Sequence, residues 1–240
     1  GYIQLLQHDA RMPPERQKTL SIMRESGDHI TSILSGLLDI SRIEAGRIEL
    51  HSDTIPLAAF LESVAQMMRP QAQAKGLKFY WKPQFLPSVV TCDEHRLRQV
   101  LLNLLSNAIK YTQQGSVTFS AHWHAQIAEF TVEDTGSGIA IEDQERIFDP
   151  FERAAATANI PGTGLGLTIT KLLTEVMGGE LTFTSTMGKG SCFKLRLMLP
   201  DKDIQLSPIL PAFPIGYEGP KRTIGIVDDS SSHRQIMREL

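Results

Sequence analysis

Asn103, Asn107, Lys110 and Tyr111 are separated by offsets of four, seven and eight residues, which in an α-helix brings their side chains onto one face. Two amide carbonyls one turn apart suit a hard cation, and a lysine one turn further on suits phosphate oxygens. Magnesium shared with a nucleotide needs such a set. Taken alone the pattern equally fits a solvated helix face, where Asn and Lys are common. Downstream, an apolar run ends in Asp134-Thr135-Gly136-Ser137-Gly138-Ile139. The carboxylate can accept a hydrogen bond from an exocyclic amine such as that of adenine, and the glycines let backbone approach a ring. Asp and Gly also make ordinary strand-ending turns.

A third segment, Gly162-Thr163-Gly164-Leu165-Gly166-Leu167, stands just before a helical pattern, where free N–H groups suit anionic phosphate. Its glycines fall at every second residue, no strand leads directly into it and no Lys-Ser/Thr follows. These features exclude a Walker loop and a dinucleotide fingerprint. Between these segments Phe148 and Phe151 flank Asp149-Pro150, followed by a stretch of small residues to Pro161. That stretch fits a lid anchored by aromatic side chains and fits a plain surface loop equally well.

Several elements must hold these residues. Asp93 can cap a helix running to about Thr112, with Leu97, Leu101, Leu104 and Ala108 on its apolar face. Strands are predicted at Leu77–Trp81, Val89–Cys92, Ser116–His122 and Ile127–Val132. A helix over 164–177 and a closing strand pair, Glu180–Thr186 with Ser191–Leu199, follow. Leu57, Leu61, Val64 and Met68 mark a further amphipathic helix, so residues 47–200 read as one mixed domain. Upstream, Met23, Ile30, Ile33, Leu37 and Ile40 form the seam of a helix that needs a helical partner. The short Gly1–Gln7 and the turn Asp9–Pro14 precede it, so 1–46 reads as a truncated helical hairpin. Proline-rich 201–220 reads as a linker. Residues 221–240 open a new unit, in which an apolar strand, Thr223–Val227, delivers Asp228 and Asp229.

Composition narrows the classes. With 240 residues, 41% hydrophobic and 21% charged, the chain can build one sizeable core and a smaller helical piece. A net charge of -3 with scattered Lys and Arg argues against nucleic acid as a partner. Cys92 and Cys192 lack metal-type spacing and fit a reducing, cytoplasmic compartment. No apolar run is long enough to cross a membrane, so no membrane contact is expected of this chain, whatever anchor a longer parent carries.

In order and spacing, these segments resemble the boxes of the sensor histidine kinase family. Asn103–Asn107 resembles its N box, Asp134–Ile139 and Gly162–Leu167 its two glycine boxes, and Phe148–Phe151 its F box. The resemblance implies an α+β fold, a two-layer α/β sandwich shared with type II topoisomerase, Hsp90 and mismatch-repair ATPases, with ATP under a lid. It implies that Asn103 and Asn107 hold Mg²⁺ and that Lys110 contacts phosphate. Tyr111 would line the pocket and Asp134 would read the adenine amine. Gly136, Gly138, Ile139, Phe148, Phe151, Gly162, Thr163, Gly164, Leu165, Gly166 and Leu167 would surround the nucleotide. The ATPase relatives place a water-activating glutamate where this chain has Asn103, so phosphoryl transfer to a histidine fits better than hydrolysis. His8, in His8-Asp9-Ala10-Arg11-Met12-Pro13, superficially matches the family's acceptor box. However, only one helix follows it before the mixed domain, so the acceptor is expected upstream of Gly1. Without it, the chain is expected to bind Mg-ATP but not to phosphorylate itself.

The hairpin implies a homodimer through a four-helix bundle. Residues 221–240 resemble the start of a response-regulator receiver domain, which implies a hybrid kinase and a receiver as partner, in cis or in trans. The alternative is a non-catalytic module that senses nucleotide or scaffolds a receiver.

Overall fold

The computed structural model describes residues 13–152 and 162–202. The stretches Gly1–Met12, 153–161 and 203–240 lie outside them, and with them His8, the hairpin's first strand of chain, the lid, most of the linker and the receiver-like segment. Helix α1, Pro14–Glu44, starts on a proline in its first turn, where the missing N–H is no loss. It ends as Gly46 takes a positive φ of 63°. Met23, Ile30 and Leu37 of its predicted seam are exposed, whereas Ile40 is buried.

The mixed domain has two layers. Strands β2 (Lys78–Gln84), β4 (Ser116–His124), β5 (Ile127–Asp134), β6 (Glu180–Thr186) and β7 (Gly190–Met198) form a five-stranded sheet in the order β2-β4-β5-β7-β6. Only β2 and β4 pair in parallel. Helices α2 (Leu57–Ala74), α3 (Glu94–Tyr111) and α5 (Gly166–Val176) supply the other layer. Alternation decides which face they cover: Phe119, Phe130, Val132 and Leu195 point inward and are fully buried, while Thr131, Lys194 and Arg196 of the same strands take the other face. The expected α+β sandwich is the one observed.

Two small elements were not expected. Strand β1, Asp53–Ile55, pairs antiparallel with β3, Val90–Cys92, and α4 is a single turn, Ile141–Gln144. Strand β2 runs beyond the expected Trp81 through Pro83 because it is an edge strand, where a missing N–H costs no ladder bond. Beyond Pro200 the backbone stays paired: Thr91 N donates to Pro200 O at 3.0 Å and Lys202 N to Val89 O at 3.2 Å.

Candidate nucleotide site

Helix α3 is built to present one polar face. Asp93 caps it, its Oδ1 accepting the Arg96 N–H at 2.9 Å and its Oδ2 the His51 N–H at 2.9 Å. Leu97, Leu101, Leu104, Leu105 and Ala108 are buried against α2 and the sheet. The opposite face delivers Asn103, Asn107, Lys110 and Tyr111 to a cavity of about 810 Å³, a volume suited to a cofactor-sized ligand.

The carbonyls of the last turn of α3 would be orphans in isolation. Here each has a donor. Ala108 O accepts from Thr112 Oγ1 at 2.7 Å, and Ile109 O and Lys110 O accept from Lys75 Nζ at 2.8 and 2.6 Å. Tyr111 O accepts from Ser137 N at 3.5 Å. The turn that carries Lys110 is therefore held from α2 and from the Asp134–Ile139 loop at once.

Asn103 and Asn107, read alike in the sequence, behave differently. Asn103 Nδ2 donates to Gly166 O and, at 2.6 Å, to Thr170 Oγ1, tying α3 to the first turn of α5. Both amide protons are used and its oxygen lies against Gly166. Asn107 makes no side-chain hydrogen bond among the described residues and faces the cavity. Lys110 has no ion-pair partner among the described residues. Its ammonium sits 4.7 Å from the Tyr111 ring centroid and beside Gly162.

At the other end Asp134 is only 7% exposed. Burial raises its pKa, and the backbone N–H groups of Gly136 and Ser191 oppose that rise. Gly136 N donates to its Oδ1 at 2.8 Å. A second cavity carboxylate, Glu152, is paired with Arg146.

Of the remaining expected residues, Gly138, Ile139, Gly162, Thr163, Gly164, Gly166 and Leu167 line the cavity. Gly138 needs its glycine: φ is 66° and a Cβ would meet Thr186 O at 2.1 Å. Four expected contacts stand off the cavity wall. Gly136 turns toward Tyr111 O, and Leu165 is buried against Gly36 of α1. Phe148 packs edge-on to Phe183 with centroids 5.6 Å apart. Phe151, 55% exposed, is tied by its backbone, its N–H donating to Gly164 O at 3.1 Å. Among the described residues the F box packs against chain and does not line the cavity.

Sequence reasoning missed Ser191 and Phe193 on β7 and Ile22, Ser26 and Ile30 on α1, all of which line the cavity. Ser191 had a signal: inward positions on β7 run Leu195, Phe193, Ser191, turning polar at the last step. The α1 residues had none, since their docking depends on contacts such as Gln99 Nε2 to Asp39 Oδ2 at 3.0 Å.

Comparison with known proteins agrees with this geometry. Residues 92–201 match the family of histidine kinase-, DNA gyrase B- and HSP90-like ATPases. The chain is 34% identical over 197 residues to the aerobic respiration control sensor protein ArcB of Escherichia coli K12, covering 80% of this chain and 25% of that protein. It is 32% identical over 252 residues to the virulence sensor protein BvgS of Bordetella bronchiseptica, covering 100% of this chain and 20% of that one. The crystal structure of full-length ShkA in complex with AMPPNP superposes with a TM-score of 0.70 at 33% identity, covering 82% of this chain and 42% of ShkA. The chain spans a quarter or less of the length of these two curated relatives. Residues 92–201 complete the picture drawn by the cavity and its polar helix: this chain belongs to the sensor histidine kinases of two-component systems and carries their catalytic ATP-binding core.

Proposed function

We propose that the chain binds Mg-ATP in this cavity and serves the transfer of the γ-phosphoryl group to a histidine. The observation that carries the reading is one cavity holding an amide without a hydrogen-bond partner and a cation without an ion-pair partner among the described residues, Asn107 and Lys110, opposite a buried carboxylate, Asp134. Those groups fit the two ends of a nucleotide. Asp134 accepts from the adenine amine, Lys110 meets phosphate oxygens, and Asn107 offers its carbonyl oxygen to magnesium. Magnesium bound there neutralises charge on the phosphates. Asn103, expected as a second ligand, is assigned instead to positioning the phosphate-facing start of α5. Free N–H groups at that start, with Thr163 and Gly164 leading into it, suit the phosphate tail.

Cavity carboxylates do not favour net hydrolysis. Asp134 lies at the base end and Glu152 is committed to Arg146, so neither is free beside Asn107 to activate water. Four histidines of the mixed domain are poor acceptors: His51, His95, His122 and His124 are absent from the cavity wall. We therefore read the acceptor as a histidine other than these and other than His8. This arrangement implies that the chain alone binds nucleotide without labelling itself. Dimerisation through the exposed seam of α1 and exchange of phosphate with a receiver are part of the same reading. Free Cys92 and Cys192 fit a cytoplasmic site of action.

Calorimetric titration with ATP, with and without magnesium, tests it. Magnesium-dependent binding is expected, with a loss of at least about tenfold in Asn107→Asp and Asp134→Asn. A chain that ignores Mg-ATP would leave only a scaffolding role.

A further inference from the structure

The inner face of the sheet ends, at the cavity, in a polar rung across three strands. Asp134 pairs with Ser191, and Ser191 with Ser185. On the preceding rungs Phe183 faces Phe193 and Leu181 faces Leu195. On these three strands hydroxyls thus replace apolar side chains where the sheet meets the cavity. Ser191 is 8% exposed and lines the cavity beside Asp134.

Ser185 stands behind it, off the cavity wall. Its Oγ accepts the Ile139 N–H at 2.8 Å, lies 3.1 Å from Gly190 O as a donor, and lies 2.9 Å from Ser191 Oγ. Gln144 Nε2 donates to Ile139 O at 3.0 Å and to Ser185 O at 3.2 Å, bracing the same loop.

A serine hydroxyl has one proton and two lone pairs. Ile139 occupies one lone pair of Ser185. When the Ser185 proton goes to Ser191 Oγ, the Ser191 proton is left to point into the cavity. When the Ser185 proton goes to Gly190 O, Ser191 donates backward and turns a lone pair to the cavity. Ser185 therefore decides whether the wall beside the Asp134 acceptor carries a donor or a second acceptor. Adenine offers an amine donor next to a bare ring nitrogen, and guanine offers a carbonyl next to a ring N–H. Only the acceptor-plus-donor wall matches adenine.

We propose that Ser185 is a positioning residue for base selection: by holding Ile139 and handing its proton to Ser191, it gives the cavity the pattern that takes adenine and rejects guanine. This rests on the Mg-ATP reading above.

The test measures Mg-ATP and Mg-GTP affinities by displacement of trinitrophenyl-ATP. In Ser185→Ala, ATP affinity is expected to fall about tenfold while GTP affinity falls much less, so their ratio narrows. Ser185→Thr, which keeps the hydroxyl, should restore the ratio. Ser191→Ala leaves the Ile139 anchor in place and should narrow the ratio alike, and the double variant should lose little more. Equal weakening of both nucleotides in Ser185→Ala, or a ratio unmoved in Ser191→Ala, overturns the proposal. Should the unaltered chain prefer ATP and lose it in Asp134→Asn while both serine variants keep the preference, this inference alone fails. Should the unaltered chain not bind the probe, the nucleotide reading fails and this inference with it.

Discussion

At the scale of single residues, neighbours of one chemical type do opposite jobs. Asn103 spends both amide protons on Gly166 and Thr170, whereas Asn107 keeps its amide for the cavity. The difference predicts different responses to the same change. Asn103→Asp sets a carboxylate against the Gly166 carbonyl and leaves Thr170 without its donor, so a loss of about 1–3 kcal/mol in folding stability is expected. Asn107→Asp disturbs no hydrogen bond within the described residues and should leave the melting temperature of the ligand-free chain within a degree or two. Thermal melts without nucleotide separate the two, and equal destabilisation would contradict the assignment. Cys92 gives a simpler check. Burial, reinforced by Asp93, Asp53 and Glu94, pushes its thiol up to about 12. With almost no thiolate present, alkylation of Cys92 at pH 8 should be slow in the folded chain and fast in denaturant.

Elements differ in how plainly the sequence announces them. Helix α3 was legible end to end because a capping Asp93, a buried leucine stripe and an opposed polar face repeat the helical period over five turns. Strand β1 and helix α4, of three and four residues, are shorter than any period that could reveal them. The ties that shape the site were also hidden, for Asn103 reaches residues 63 and 67 positions away. Lys75 is the clearest such case, an ordinary surface lysine in the sequence and, in the fold, the donor to two carbonyls of α3 from 34 and 35 positions off. Its positive charge also suits the negative end of the helix dipole. Lys75→Met keeps the stem but removes the ammonium, and should cost about 1–2 kcal/mol in denaturant unfolding. Nucleotide affinity should fall as well, because the released turn carries Lys110. Unchanged stability and affinity would show the cap to be redundant.

For the molecule as a whole the open question is what holds α1 against the ATP-binding core. Two contacts compete for the role. Asp39 meets Arg96 at 3.5 Å and Gln99 at 3.0 Å, with the pair about one-fifth exposed. Partly solvated ion pairs of this kind contribute up to about 1 kcal/mol. Gly36, by contrast, sits where an added Cβ would come within 3.0 Å of Leu165 Cδ1 and 3.2 Å of Ile169 Cδ1, so a large side chain overpacks the contact by about 1–3 kcal/mol. Packing should win. Gly36→Leu is expected to undock α1 more than Asp39→Ala does, seen as faster hydrogen exchange of α1 amides and slower exchange nowhere in the sheet. Replacing a helical glycine also strengthens the helix by about 1 kcal/mol, which alone would slow exchange. Gly27 isolates that effect, because a Cβ there meets nothing within 4 Å. Gly27→Leu should therefore slow exchange in α1 while Gly36→Leu speeds it. Opposite signs from the same substitution on one helix would locate the dock at Gly36, and because Ile22, Ser26 and Ile30 of α1 line the cavity, Mg-ATP affinity should change in Gly36→Leu and hold in Gly27→Leu. Like signs at both positions would move the dock to the Asp39 ion pair.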